Sequence, residues 1–112
     1  MSNYVFFVYI LFSKRNGTLY VGITNDIFRR MQEHKSANSQ FTSRYGVDKL
    51  GYIEKFSYVD DAIYREKQLK SGKRIDKIKL IEKMNPDWVD MTNDLVNIVH
   101  GIRLFPILQT LE

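Results

Sequence analysis

Residues 5–24 read VFFVYILFSKRNGTLYVGIT, and their pattern decides the fold. Val5–Phe12 is apolar at every position, which suits a strand covered on both faces. Asn16-Gly17 is the strongest short hairpin signal, so Thr18–Thr24 reads as the returning strand. A two-residue Asn16-Gly17 turn pairs residues whose numbers sum to 33, and a four-residue Lys14–Gly17 turn gives 31. Both sums are odd, so either register puts Tyr9 and Tyr20 on one face of the hairpin. Gly22 or Thr24 then lies opposite Tyr9. A glycine inside a strand removes a side chain where something approaches closely.

Outward from the hairpin, Asn25 or Asp26 caps a helix to about Lys35, with Ile27 and Met31 as its apolar i,i+4 pair. Residues 36–47 are mostly small and polar and read as a loop. A third strand runs near Lys49–Phe56. Asp60 or Asp61 caps a second helix to about Lys70, which Ser71-Gly72 interrupts. A third helix near Arg74–Met84 places Ile75, Ile78 and Ile81 on one side, and Pro86 ends it. The order β-β-α-β-α-α predicts an α+β domain: a small three-stranded, mainly antiparallel sheet covered by helices. The apolar first strand belongs in its centre.

The chain has 112 residues, which suits one domain. It contains no Cys, which excludes a disulfide framework, a zinc finger and a thiol nucleophile. Its longest apolar run is the eight residues Val5–Phe12, against the ~18–20 a membrane span needs. No secretory signal pattern precedes or follows that run, so the expected address is cytoplasmic, away from membranes. The net charge is +4. Residues 1–35 hold five Lys and Arg against two carboxylates, and residues 62–83 hold eight against three, while residues 84–112 are acidic. Two basic blocks are the footprint of a polyanion-binding face, or else of a solvated lysine-rich surface.

Three local patterns carry chemistry. Tyr9 and Tyr20 beside Gly22 either frame a phosphate or pack in the core. Arg30 and His34 are four apart on the first helix and project together. Glu66 falls among Ala62, Ile63 and Leu69 on the second helix. A carboxylate on an apolar stripe costs several kcal/mol unless a cation meets it. The partner is then a nearby Arg or Lys, with Lys70 at i+4 available, or a divalent metal.

Together these patterns resemble the GIY-YIG nuclease superfamily, specifically its compact single-domain bacterial members. Phe7-Val8-Tyr9 stands at the first motif and Tyr20-Val21-Gly22 at the second. Residues 24–35 are similar to the family's arginine helix, residues 61–70 to its glutamate helix, and Asn85-Pro86-Asp87-Trp88 to its C-terminal signature. Phe7 replaces the name-giving glycine of the first motif, as in other compact members. The resemblance implies an endonuclease hydrolysing phosphodiester bonds with a single Mg²⁺ or Mn²⁺ held by Glu66. It implies that Arg30 neutralises the scissile phosphate, Tyr9 acts as base or positions water, Tyr20 bonds the phosphate or water, and His34 assists proton transfer. A phenol's ordinary pKa of ~10 allows Tyr9 to act as base only if metal or Arg30 depresses it. Gly22, Arg44 and Lys70 are further nucleic-acid contacts. The substrate expected is DNA, recognised by structure or ends in repair or recombination. The alternative is a nucleic-acid-binding module with little or no catalysis.

The resemblance covers roughly residues 4–94, so residues 1–94 are expected to form the nuclease domain and 95–112 an apolar C-terminal extension. A short helix from the Thr92-Asn93-Asp94 cap to about His100 is expected, with Gly101 stopping it. The apolar residues beyond pack on their own domain or build a homodimer.

Overall fold

The computed structural model describes residues 5–36 and 45–105. Three strands, β1 (Phe6–Phe12), β2 (Leu19–Thr24) and β3 (Lys49–Phe56), form one sheet in the order β2-β1-β3. Both pairings are antiparallel. The all-apolar strand is therefore central, as its sequence requires. Phe7, Tyr9 and Leu11 enter one core with Ile27 and Met31 of helix α1 (Ile27–Lys35). Val8, Ile10 and Phe12 enter the other, beneath α2 (Val59–Ser71) and α3 (Arg74–Met84). A strand that feeds two cores cannot carry a polar residue at either parity.

The hairpin adopts the register that sums to 31, with Tyr9 opposite Gly22. Gly17 N donates to Lys14 O at 2.8 Å and Ser13 N to Thr18 O at 3.1 Å. Asn16 takes φ of 57°, a conformation Asn tolerates better than most side chains. On the other side, a bulge leaves Gly51 unpaired between Tyr52, opposite Ile10, and Leu50, opposite Leu11. The extra residue brings Leu50 onto the face of Ile53, where both join the α1 core. A Cβ on Gly51 would meet Phe12 Cδ1 at 2.9 Å.

Asp26 caps α1 by accepting from Arg29 N at 3.1 Å. The second helix departs from expectation at its start. Tyr58 is the residue before it, and Asp60 and Asp61 lie inside the first turn, where carboxylates complement the helix dipole. Two apolar assignments also change: Ile63 and Ile75 are exposed, because Ala62, Leu69 and Ile81 supply the buried contacts.

Asn85 is buried, and its amide accepts from Val89 N at 3.1 Å and donates to Val89 O at 2.8 Å. Trp88, at φ of 53°, packs edge-on against Phe12 and donates its indole N–H to Glu82 at 2.9 Å. Asn85-Pro86-Asp87-Trp88 thus works here as a structural turn.

Glu54 of β3 is buried and receives Arg65 of α2 through Nε at 2.9 Å and NH2 at 2.8 Å. The Tyr52 hydroxyl donates to the same carboxylate. Removing one partner of such a pair strands a buried charge. After a 3₁₀ turn (Met91–Asp94), α4 (Leu95–Gly101) follows. Leu95, Ile98, Val99 and Ile102 pack against the α1 core. Leu104 bridges Lys55 in parallel fashion, and Phe105 N donates to Lys55 O at 2.6 Å. The chain thereby lies along the outer edge of β3. No described helix is long and apolar enough to cross a membrane.

Candidate active site

The hairpin parity delivers Tyr9 and Tyr20 to the face on which α1 packs. Their ring centroids are 6.4 Å apart, and the His34 ring sits 5.8 Å from Tyr9 and 5.6 Å from Tyr20. The Tyr9 hydroxyl and His34 Nε2 are 3.0 Å apart in a buried hydrogen bond. Arg30, one turn before His34, interacts electrostatically with the tyrosine side chains. Four of the residues picked out in the sequence therefore form one cluster, built by two strands and one helix.

Gly22 is what lets Tyr9 lie there. A Cβ on Gly22 would overlap Tyr9 Cζ and its oxygen and reach Cε2 at 2.9 Å. Tyr9 is fully buried and has little room to retreat. Gly22→Ala is expected to destabilise the protein by ~1–3 kcal/mol, as overpacked cores do. Urea unfolding of Gly22→Ala, Tyr9→Phe and the double variant checks this. Removing the phenol oxygen should recover part of the loss, and a strictly additive cycle would place the damage elsewhere.

The electrostatics are set by burial. Tyr9 is pushed up to about 12, first by desolvation and then by Tyr20, with Arg30 opposing. His34 is held down at about 4 by burial and by the Arg30 charge, so it is neutral at physiological pH. Burial works against the charge on Arg30, but hydrogen bonds from it to Glu33, Tyr9 and Tyr20 raise its pKa above the ordinary value. Glu33 is a site residue that the sequence reading misses. It accepts from Arg30 at 2.8 Å and Arg29 at 2.7 Å, and these partners lower its pKa. Its signal is the i,i+3 and i,i+4 spacing from two arginines.

The His34 shift has a stability consequence. Between pH 6.5 and about 4 the unfolded chain takes up a proton that folded His34 refuses. The His34 contribution is thus complete above pH 6.5 and is lost as pH falls through that window. Urea unfolding at pH 7 and pH 5 should show the drop, and His34→Gln should show a smaller one. Equal drops in both proteins would refute the assignment.

Glu66 comes from the other layer, on α2, which packs along β2 and β1. Its Oε2 meets Lys70 Nζ at 2.8 Å, with the glutamate side chain 15% exposed and the lysine 52%. Lys70, at i+4, is thus within ion-pair distance of Glu66. Arg44 lies outside the described residues. Among those described, no group of three His, Cys, Asp or Glu could cage a metal. The donor set fits a hard cation held by one accessible carboxylate, with water and phosphate oxygens completing its shell.

Comparison with known proteins agrees with this arrangement. A family model described as the GIY-YIG catalytic domain matches residues 5–79. A UPF0213 protein of Oceanobacillus iheyensis is 35% identical over 77 residues, covering 68% of this chain and 88% of that protein. One from Syntrophus aciditrophicus is 36% identical over 83 residues, covering 72% and 93%. The solution NMR structure of a UPF0213 protein from Bacillus halodurans superimposes with a TM-score of 0.50 at 27% identity, covering 80% of this chain and 95% of that one. With Tyr9, Tyr20 and Gly22 set on the hairpin as the two motifs require, the chain belongs to the GIY-YIG family.

Proposed function

We propose that the protein is a divalent-metal-dependent endonuclease that hydrolyses phosphodiester bonds of nucleic acid, with DNA structures or ends in repair or recombination as its substrates. The observation that carries this reading is the cluster of Arg30 with Tyr9, Tyr20 and a neutral His34 on one face of the sheet. A fixed Arg⁺ offers a phosphate several N–H donors at once. As negative charge grows on the phosphate oxygens in the transition state, that contact strengthens. Tyr20, half-buried, would hydrogen-bond the phosphate or the attacking water.

Tyr9 takes a narrower role than general base. With its pKa near 12 it is a protonated phenol at neutral pH, and Arg30 alone does not bring it down. It orients water and the His34 ring through its hydroxyl. His34 at about 4 is a weak proton acceptor, and it serves best by holding Tyr9. Glu66 would hold Mg²⁺ or Mn²⁺, which supplies Lewis-acid stabilisation of the phosphate and acidifies the attacking water.

The Glu66–Lys70 pair favours a second reading, a binding module whose carboxylate is already neutralised. One experiment separates the two. Nicked, branched and linear DNA are incubated with the protein and either Mg²⁺, Mn²⁺ or EDTA. Nicks that require the cation support the nuclease. Retention of DNA with no cleavage under any cation supports the binding module.

A further inference from the structure

The two basic blocks of the sequence, residues 1–35 and 62–83, meet on one surface. Arg74 in the first turn of α3 donates through NH2 to Asn16 O at 2.8 Å and also to Gly17 O. The hairpin turn carrying Lys14 and Arg15 is thereby pinned to the start of α3, and Arg15 donates to Pro86 O at 3.0 Å. Just before α3, the chain leaves α2 through Ser71-Gly72 and Lys73. Lys70 lies four residues beyond Glu66 and shares its side of α2, and Lys67, three residues before Lys70, flanks it. Lys14, Lys67 and Lys73 are exposed. Among the described residues no ion pair holds any of the three. Asp76 is the carboxylate that shares the cleft beside Lys73, and Asp87 follows the proline that receives Arg15.

We infer that Lys67, Lys70, Lys73 and the pinned hairpin turn form a track for the phosphate backbone of duplex nucleic acid, leading away from Glu66. The inference rests on the nuclease reading for its ligand and on geometry for its place. Lysines are compact point charges suited to phosphates, whereas bidentate reading of base edges is chiefly the work of arginine. The two arginines of the track are occupied with backbone carbonyls, Arg15 on Pro86 and Arg74 on the turn. The track therefore holds the duplex without selecting its sequence.

The test is the salt dependence of binding. A fluorescein-labelled duplex is titrated with the full chain in EDTA across a range of salt, followed by anisotropy. The variant K14Q/K67Q/K73Q removes three exposed charges that no described ion pair holds, and circular dichroism checks that it is folded. Every phosphate that the variant no longer neutralises reduces the slope of log K against log salt by ~0.9, so the triple variant should fall short by about 2–3 in slope. Lys49, paired with Asp48 at 3.3 Å, provides the control. The slope of K49Q should equal that of the natural protein. An unchanged slope in the triple variant, an equal reduction in K49Q, or no binding by the natural protein at ~50 mM salt overturns the track. Glu66→Gln releases Lys70 from its pair and should bind in EDTA with a slope no smaller than that of the natural protein. If that variant also cuts DNA in Mg²⁺, the metal assignment fails while the track stands.

Discussion

Glu66→Gln is expected to leave a folded protein with no measurable Mg²⁺-dependent cleavage. The amide keeps the size and polarity of the side chain and loses the charge that holds a hard cation. Lys70 is 52% exposed, so solvent screens the 2.8 Å pair and its net contribution to folding is small. The loss should therefore appear in activity and leave the melting temperature nearly unmoved. A purely structural glutamate predicts the reverse: a lower melting temperature, with cleavage in proportion to folded protein. Isothermal titration with Mn²⁺ gives a second readout, since the variant should lose the heat of binding. A folded Glu66→Gln protein that cuts at the natural rate would falsify the metal role.

Arg30→Ala should lower single-turnover cleavage by ~10²–10³, the usual effect of deleting one donor to a developing oxyanion. Affinity for DNA should change little, because the contact is made chiefly in the transition state. Arg30 also opposes the upward shift of Tyr9, so its removal should raise the Tyr9 pKa further, which ultraviolet titration of the phenols can follow. Glu33 would retain Arg29 at 2.7 Å, so the helix surface stays neutralised and the fold should persist. Arg30→Lys should restore part of the rate and less than the natural protein, since a point charge cannot bond two phenols and a phosphate in one plane. Normal turnover with weakened binding would reduce Arg30 to a docking residue.

Much of the active-site cluster was legible because it depends on local periodicities. Period two along β1 and β2 puts Tyr9 and Tyr20 on one face in either turn register. Period 3.6 on α1 puts Arg30 and His34 on one side. What these patterns could not convey is the state of each group. The same Tyr9 that reads as a candidate base is buried against Gly22 and His34, and desolvation drives its pKa the wrong way for that work. Periodicity also misplaced Ile63 and Ile75, since an apolar residue at the margin of a stripe stays exposed when no neighbouring element covers it. Glu54 escaped notice as an ordinary strand glutamate. Arg65, from a helix eleven residues on, together with the Tyr52 hydroxyl, makes its burial tolerable.

The sequence by itself determined the element order, the central place of the all-apolar strand, the shared face of the two tyrosines and the family. These follow from chain-local alternation and turn chemistry, which no distant contact can reverse without exposing a core face. Tertiary structure alone decided the four-residue turn, the bulge at Gly51, the burial of Glu54 against Arg65 and the union of the two basic blocks. Asn16-Gly17 is compatible with either turn. Arg74, nearly sixty residues later in the chain, accompanies the longer one through bonds to the Asn16 and Gly17 carbonyls. Such choices lie between locally equivalent states, so the interactions that decide them come from residues far along the chain.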